Sequence, residues 1–156
     1  MKKVLFVCHG NICRSPMAES VFNQMLKERG LTELFSADSA AVSSEELGNP
    51  VYPPAQRELE RRGLPRSSHH AWQLSRSDYA RYDYFLGMDA GNMRLMRRIF
   101  GGDPQGKVKL LMSYTGRQIE VEDPWYTDRF DFVFDEISRG CEAFLDAVLE
   151  DAYSAK

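Results

Sequence analysis

Val4-Leu5-Phe6-Val7-Cys8-His9-Gly10-Asn11-Ile12-Cys13-Arg14-Ser15-Pro16 is the stretch on which the reading of this chain turns. Val4 to Val7 is an unbroken apolar run of β-branched and aromatic side chains, the pattern of a strand covered on both faces in a parallel sheet. A loop from Cys8 to Ser15 follows, and then a helix. Ser15 is its expected N-cap, Pro16 its expected first position, and Met17, Val21, Phe22, Met25 and Leu26 recur at helical spacing. Gly30 is its expected stop.

Outward from that unit, alternating strands and helices are predicted. A second strand is expected over Phe35 to Ala41, irregular chain over Ser44 to Pro54, and a charged, solvent-facing helix over Ala55 to Arg62. Tyr84 to Met88 reads as a third strand, Asp89 to Phe100 as a helix ended by Gly101 and Gly102, and Val108 to Met112 as a fourth strand. Phe130, Val133, Phe134, Ile137, Cys141, Phe144, Leu145, Val148 and Leu149 trace one apolar stripe on a long final helix. Strands separated by helices imply βαβ crossovers, hence an α/β fold: a doubly wound parallel sheet with helices on both faces, in a single domain spanning 1–156. Ligands in such sheets bind at the carboxyl ends of the strands, where the Cys8 to Ser15 loop lies.

Composition narrows the function classes. The 156 residues, 43% hydrophobic and 28% charged, suit one substantial core. Lys plus Arg number 20 against 23 Asp plus Glu, a formal net charge of −3, so no overall positive field gathers nucleic acid or anionic membrane. No apolar run approaches the roughly 20 residues that cross a bilayer, so membrane insertion is not expected. The apolar stretch near Met1 is too short for a secretory signal and lacks a small-residue cleavage site. Three cysteines, an odd count, fit a reducing, cytoplasmic setting better than a secreted disulfide framework.

The loop itself carries the chemistry. A cysteine at the end of a strand and an arginine six positions later, at the mouth of a helix, allow successive backbone N–H groups to turn inward as an anion nest reinforced by the helix dipole. The expected occupant is a tetrahedral oxyanion. Gly10 permits a backbone conformation closed to most residues, and the Asn11 side chain is expected to hold the curl. His9, Ile12 and Cys13 complete the bowl. Within it Cys8 is favoured as a thiolate, Arg14 presents a planar fork to two oxygens, and Ser15 can donate a hydrogen bond to the sulfur. Cys8, Cys13 and His9 lack the spacing of metal ligands, and no metal or other cofactor is implied.

The run Val4 to Glu19, together with Asp38-Ser39, Tyr84 to Asn92 and Asp123-Pro124, resembles the low-molecular-weight protein tyrosine phosphatase family. The resemblance covers essentially the whole chain. It implies a four-stranded parallel sheet and hydrolysis of phosphotyrosine in proteins through a phosphocysteine, with Cys8 as nucleophile, Arg14 as phosphate clamp and Asp123 as general acid and base. Inorganic phosphate and vanadate are then expected ligands. Asp123 is one of many acids by composition, and only the resemblance selects it. Beside it, on a loop, Trp125 and Tyr126 are expected to wall the phosphotyrosine ring. The resemblance also places Ser39 and His69 behind the loop, with His69 bracing Asn11. Three positions depart from the family pattern: His9, Glu45, which stands where many members carry an aromatic wall, and Trp125. Glu45 is expected to disfavour acidic peptides. Two rivals share the scaffold. Arginine phosphatases resemble one another in a Thr at the Ile12 position, and arsenate reductases need relay cysteines, for which this chain offers only Cys141.

Overall fold

Alternate residues of the first strand feed two separate cores, which fixes the layering. In the computed structural model, which describes residues 1–117 and 119–154, β1 spans Lys2–Cys8. Val4, Phe6 and Cys8 join the larger core; Leu5 and Val7 join the other. Both faces of β1 are thus covered, as its unbroken apolar run requires. The remaining elements are α1 (Arg14–Arg29), β2 (Phe35–Ala41), α2 (Pro53–Arg61), β3 (Tyr84–Gly87), α3 (Ala90–Phe100), β4 (Val108–Leu110), α4 (Pro124–Thr127) and α5 (Phe130–Ser154). Two 3₁₀ turns, Arg76–Ala80 and Leu111–Thr115, complete the described elements.

The four strands form one parallel sheet in the order β2-β1-β3-β4. Residues of α1, α2 and α5 pack on one face, residues of α3 and the Arg76–Ala80 turn on the other. This is the expected doubly wound α/β architecture. Because β1 is flanked by β2 on one side and β3 on the other, the winding reverses beside it, and the crevice at its carboxyl end receives the Cys8–Arg14 loop.

Several boundaries differ from the sequence reading. The first helix starts at Arg14, with Cys13 rather than Ser15 at the cap position. Ser15 does not cap because its hydroxyl is engaged by Cys8 and Asn11 instead. The helix over Pro53–Arg61 is not simply solvent-facing: Ala55, Gln56, Glu58 and Leu59 are buried. Glu58 tolerates this because Arg61 and Arg62 both donate to its Oε2, at 2.5 and 2.7 Å. The fourth strand stops at Leu110, where the chain tightens into the Leu111–Thr115 turn. Residues 124–127, expected as loop, form a helical turn started by Pro124. No helix among the described residues is long and apolar enough to cross a membrane.

Candidate active site

The loop between β1 and α1 curls around the Cys8 sulfur. Sγ accepts the Asn11 N–H at 3.2 Å and lies 2.9 Å from Ser15 Oγ. Asn11 Nδ2 donates to that same Oγ at 2.8 Å, which leaves the Ser15 hydroxyl proton free to be donated to a Cys8 thiolate. The curl turns at Asn11, whose φ of 62° is left-handed. The freedom that Gly10 permits is not used: Gly10 has no positive φ, and an added Cβ would come within 3.2 Å of Glu46 Cγ. Asparagine tolerates the left-handed region when its side chain bonds locally, and here it does.

Behind the loop lies a hydrogen-bonded scaffold. Asn11 is fully buried. Its Nδ2 also donates to Ser39 Oγ at 3.0 Å, while its Oδ1 accepts from His69 Nε2 at 2.7 Å and from the Trp72 N–H at 3.3 Å. His69 thus carries a proton on Nε2. The Ser39 hydroxyl donates a hydrogen bond to Glu19 Oε1 at 2.7 Å, and that oxygen sits 3.6 Å from His69 Nδ1. Burial pushes the Glu19 carboxyl up to about 7 and the His69 imidazole down. Ser39 and His69 both lie behind the loop in contact with Asn11. Glu19 closes the network without having been singled out.

Arg14 is buried at the start of α1. Its Nη1 donates to Asp89 Oδ2 at 2.8 Å and to the Val121 carbonyl at 2.9 Å, and its Nη2 lies 3.5 Å from Asp123 Oδ2. Burial opposes the charge of Arg14, but Cys8, Asp89 and Asp123 more than offset it and hold the guanidinium charged. Asp89 was not foreseen as a site residue. Its signal was nonetheless present: an Asp with Asn92 three positions on, at the end of a predicted strand, forms a capping box at the mouth of the crevice.

The rim comes from three elements. Asp123 is N-cap of α4, its Oδ1 accepting the Trp125 N–H at 3.1 Å while Oδ2 faces Arg14. The preceding Glu122 pairs with Arg129, which donates from Nε at 3.0 Å and holds that carboxyl down at about 2. Trp125 leans on Tyr52 with ring centroids 4.7 Å apart, and Tyr126 is 83% exposed. His9 and Glu45, two of the three departures, meet each other: Nε2 and Oε2 are 3.1 Å apart across the mouth. Cys8, His9, Gly10, Asn11, Ile12, Cys13, Arg14, Glu45, Asp123, Trp125 and Tyr126 line one cavity of about 170 Å³, joined by Glu46, which the sequence reading omitted. Cys13 is buried in the loop floor, and burial pushes its thiol up. Such a bowl, with a buried arginine fork, a helix N-terminus and a carboxyl overhead, suits a tetrahedral oxyanion carrying an ester group.

Fold and site together define a phosphatase built on a cysteine-and-arginine loop. Residues 3–154 match the family described as low molecular weight phosphotyrosine protein phosphatase. Among relatives, the low molecular weight phosphotyrosine protein phosphatase of Pongo abelii is 43% identical over 150 residues, which cover 93% of this chain and 94% of that one. The crystal structure of YfkJ from Bacillus subtilis superposes with a TM-score of 0.92 at 37% identity, covering 97% of this chain and 96% of that one. A Drosophila arginine phosphatase, DARP, superposes with a TM-score of 0.86 at 32% identity over 95% of this chain and 98% of its own. The chain belongs to the low molecular weight phosphotyrosine protein phosphatase family, and by that membership it is a protein-tyrosine phosphatase.

Proposed function

We propose that this protein hydrolyses phosphotyrosine in proteins through a phosphocysteine, with Cys8 as nucleophile, Arg14 as phosphate clamp and Asp123 as general acid and then base. The observation that carries this reading is the convergence on one cavity of the Cys8 sulfur and the Arg14 fork, from the two ends of one loop, with the Asp123 carboxyl from a distant part of the chain. The Cys8 thiolate attacks phosphorus, and the bond from phosphorus to the tyrosyl oxygen breaks. The electron pair leaves with that oxygen, which takes the proton of Asp123. Water then attacks the phosphocysteine, Asp123 accepts its proton, and phosphate departs as the P–S pair returns to sulfur. The Ser15 hydroxyl, whose proton Asn11 leaves free for Sγ, stabilises the departing thiolate. Arg14 holds two equatorial oxygens throughout and is itself aimed by Asp89 and the Val121 carbonyl. Trp125 and Tyr126 flank the phenyl ring.

Cys8→Ser is expected to abolish turnover while inorganic phosphate and vanadate still bind. Asp123→Ala should lower kcat about 10²- to 10⁴-fold for an aryl ester whose leaving group has a high pKa, and far less for an activated one. Equal losses across leaving groups would remove Asp123 from proton transfer. The likeness to an arginine phosphatase supports a second reading in which phosphoarginine is the substrate. Ile12, whose apolar side chain lines the cavity, favours tyrosine. A kcat/KM for phosphoarginine peptides equal to or above that for phosphotyrosine peptides would reverse the choice.

A further inference from the structure

A second groove runs outward from the phosphate cavity and shares three of its walls, Ile12, Glu46 and Trp125. Its volume is about 410 Å³. Val51, Tyr52 and Pro53 supply apolar lining, and Tyr52 is fixed there by its ring contact with Trp125 and by its N–H donating to the Ile12 carbonyl at 2.9 Å. The groove is therefore tied rigidly to the loop that carries Cys8. Its charges are not distributed evenly. At the end nearer the cavity, Glu46 accepts from Asn49 Nδ2 at 2.6 Å. Further along α2, Glu60 is answered by Arg66 at 3.8 Å. Arg57, one turn beyond Pro53 on the exposed side of the helix, has no ion-pair or hydrogen-bond partner among the described residues.

We infer that this groove binds the substrate chain flanking the phosphotyrosine, with Arg57 receiving an acidic side chain some residues away from it. The inference rests on the phosphotyrosine reading, since it extends that site along the bound polypeptide. Continuity of the two cavities delivers the flanking chain to the groove. Apolar lining at Val51 and Pro53 suits side chains pressed against it, and the uncompensated guanidinium selects for a carboxylate. Glu46, at the near end, works in the opposite sense and repels an acid placed next to the phosphotyrosine. The recognised pattern is thus an acidic residue at a distance and none adjacent. An exposed ion pair of this kind supports a preference of about two- to fivefold.

The test uses the intact protein and matched phosphotyrosine peptides on an alanine background, with Glu or Lys placed either next to the phosphotyrosine or two to four positions away on each side. Each kcat/KM is taken relative to that for free phosphotyrosine. On one side of the phosphotyrosine, a distant Glu should exceed a distant Lys by about two- to fivefold, and an adjacent Glu should fall below an adjacent Lys. Arg57→Ala should erase the distant preference and Arg57→Glu should invert it. If the ratios for wild type and Arg57→Glu coincide at every position, the groove does not read acidic residues and the inference is wrong. Absence of turnover on free phosphotyrosine as well as on the peptides would instead overturn the phosphotyrosine reading on which it rests.

Discussion

Asp89 serves two elements with its two oxygens. Oδ1 accepts the Asn92 N–H at 2.8 Å and starts α3, whereas Oδ2 takes Arg14 Nη1 at 2.8 Å and aims the guanidinium. The two roles separate in Asp89→Asn. Asparagine caps a helix about as well as aspartate, so the melting temperature should change little. The amide cannot present a charged acceptor to Arg14, and a hydrogen bond to a charged group contributes about 1.5–3 kcal/mol. We expect kcat/KM to fall about 10- to 100-fold, with a parallel loss of phosphate binding measured as competitive inhibition. A stable variant with wild-type kinetics would make Asp89 a cap and nothing more. The same residue-scale logic explains why Asn11 rather than Gly10 takes the left-handed turn: its side chain has four partners behind the loop, and a glycine there would have none.

At the scale of elements, the close seat of α5 against the Leu111–Thr115 turn depends on a missing side chain. A Cβ built on Gly140 would lie 2.8 Å from Leu111 Cγ and 2.9 Å from Met112 Sδ. Glycine to alanine within a helix ordinarily stabilises by about 0.5–1 kcal/mol. Here Leu111 and Met112 are both buried, and Cγ is a branch point with little freedom to yield. Overpacking of a filled core costs about 1–3 kcal/mol. Gly140→Ala should therefore destabilise, read as a lower midpoint in urea with an unchanged slope. An increase in the midpoint would show that the turn gives way at little cost. The acid-bearing segment is secured in a different manner, by a surface pair: Glu122 and Arg129 bracket α4 and set where Asp123 begins it.

For the whole molecule, acid stability depends on Asp103, in the connection between α3 and β4. Burial raises its pKa, but the Tyr79 hydroxyl at 2.6 Å, the Lys107 N–H at 2.8 Å and the Val108 N–H at 3.1 Å outweigh that and hold the carboxyl below its ordinary 3.8. A carboxylate depressed on folding contributes stability in full above the unfolded value of 3.8, and loses it as pH falls through the lower folded value. Asp103→Asn should thus lower the melting temperature at pH 7 and shrink the gap from wild type as the solution is acidified below pH 4. A gap that stays constant with pH would mean that the contacts of Asp103 do not depend on its charge.

The local unit of strand, loop and helix was legible because its signals are short-range. An apolar run of strand length, a cysteine and arginine six apart, and a proline near the helix start all act within a few residues of one another. The apolar stripe from Phe130 to Leu149 was legible for a similar reason, since one helix face is a period in the chain itself. Even there, the cap slipped from Ser15 to Cys13, because the Ser15 hydroxyl had a partner in Asn11 that propensity does not see. The α/β alternation and the identity of the loop are thus written in local patterns of the chain. Completion of the site is not, and it comes from packing: Asp89 and the Val121 carbonyl aiming Arg14, Glu19 closing the network behind Asn11, and His9 meeting Glu45 across the mouth. Each of those contacts joins residues that are 20 or more positions apart, brought together where the winding of the sheet reverses beside β1. Distance along the chain carries no record of such meetings, and only the packing of helices on both faces of the sheet brings them about.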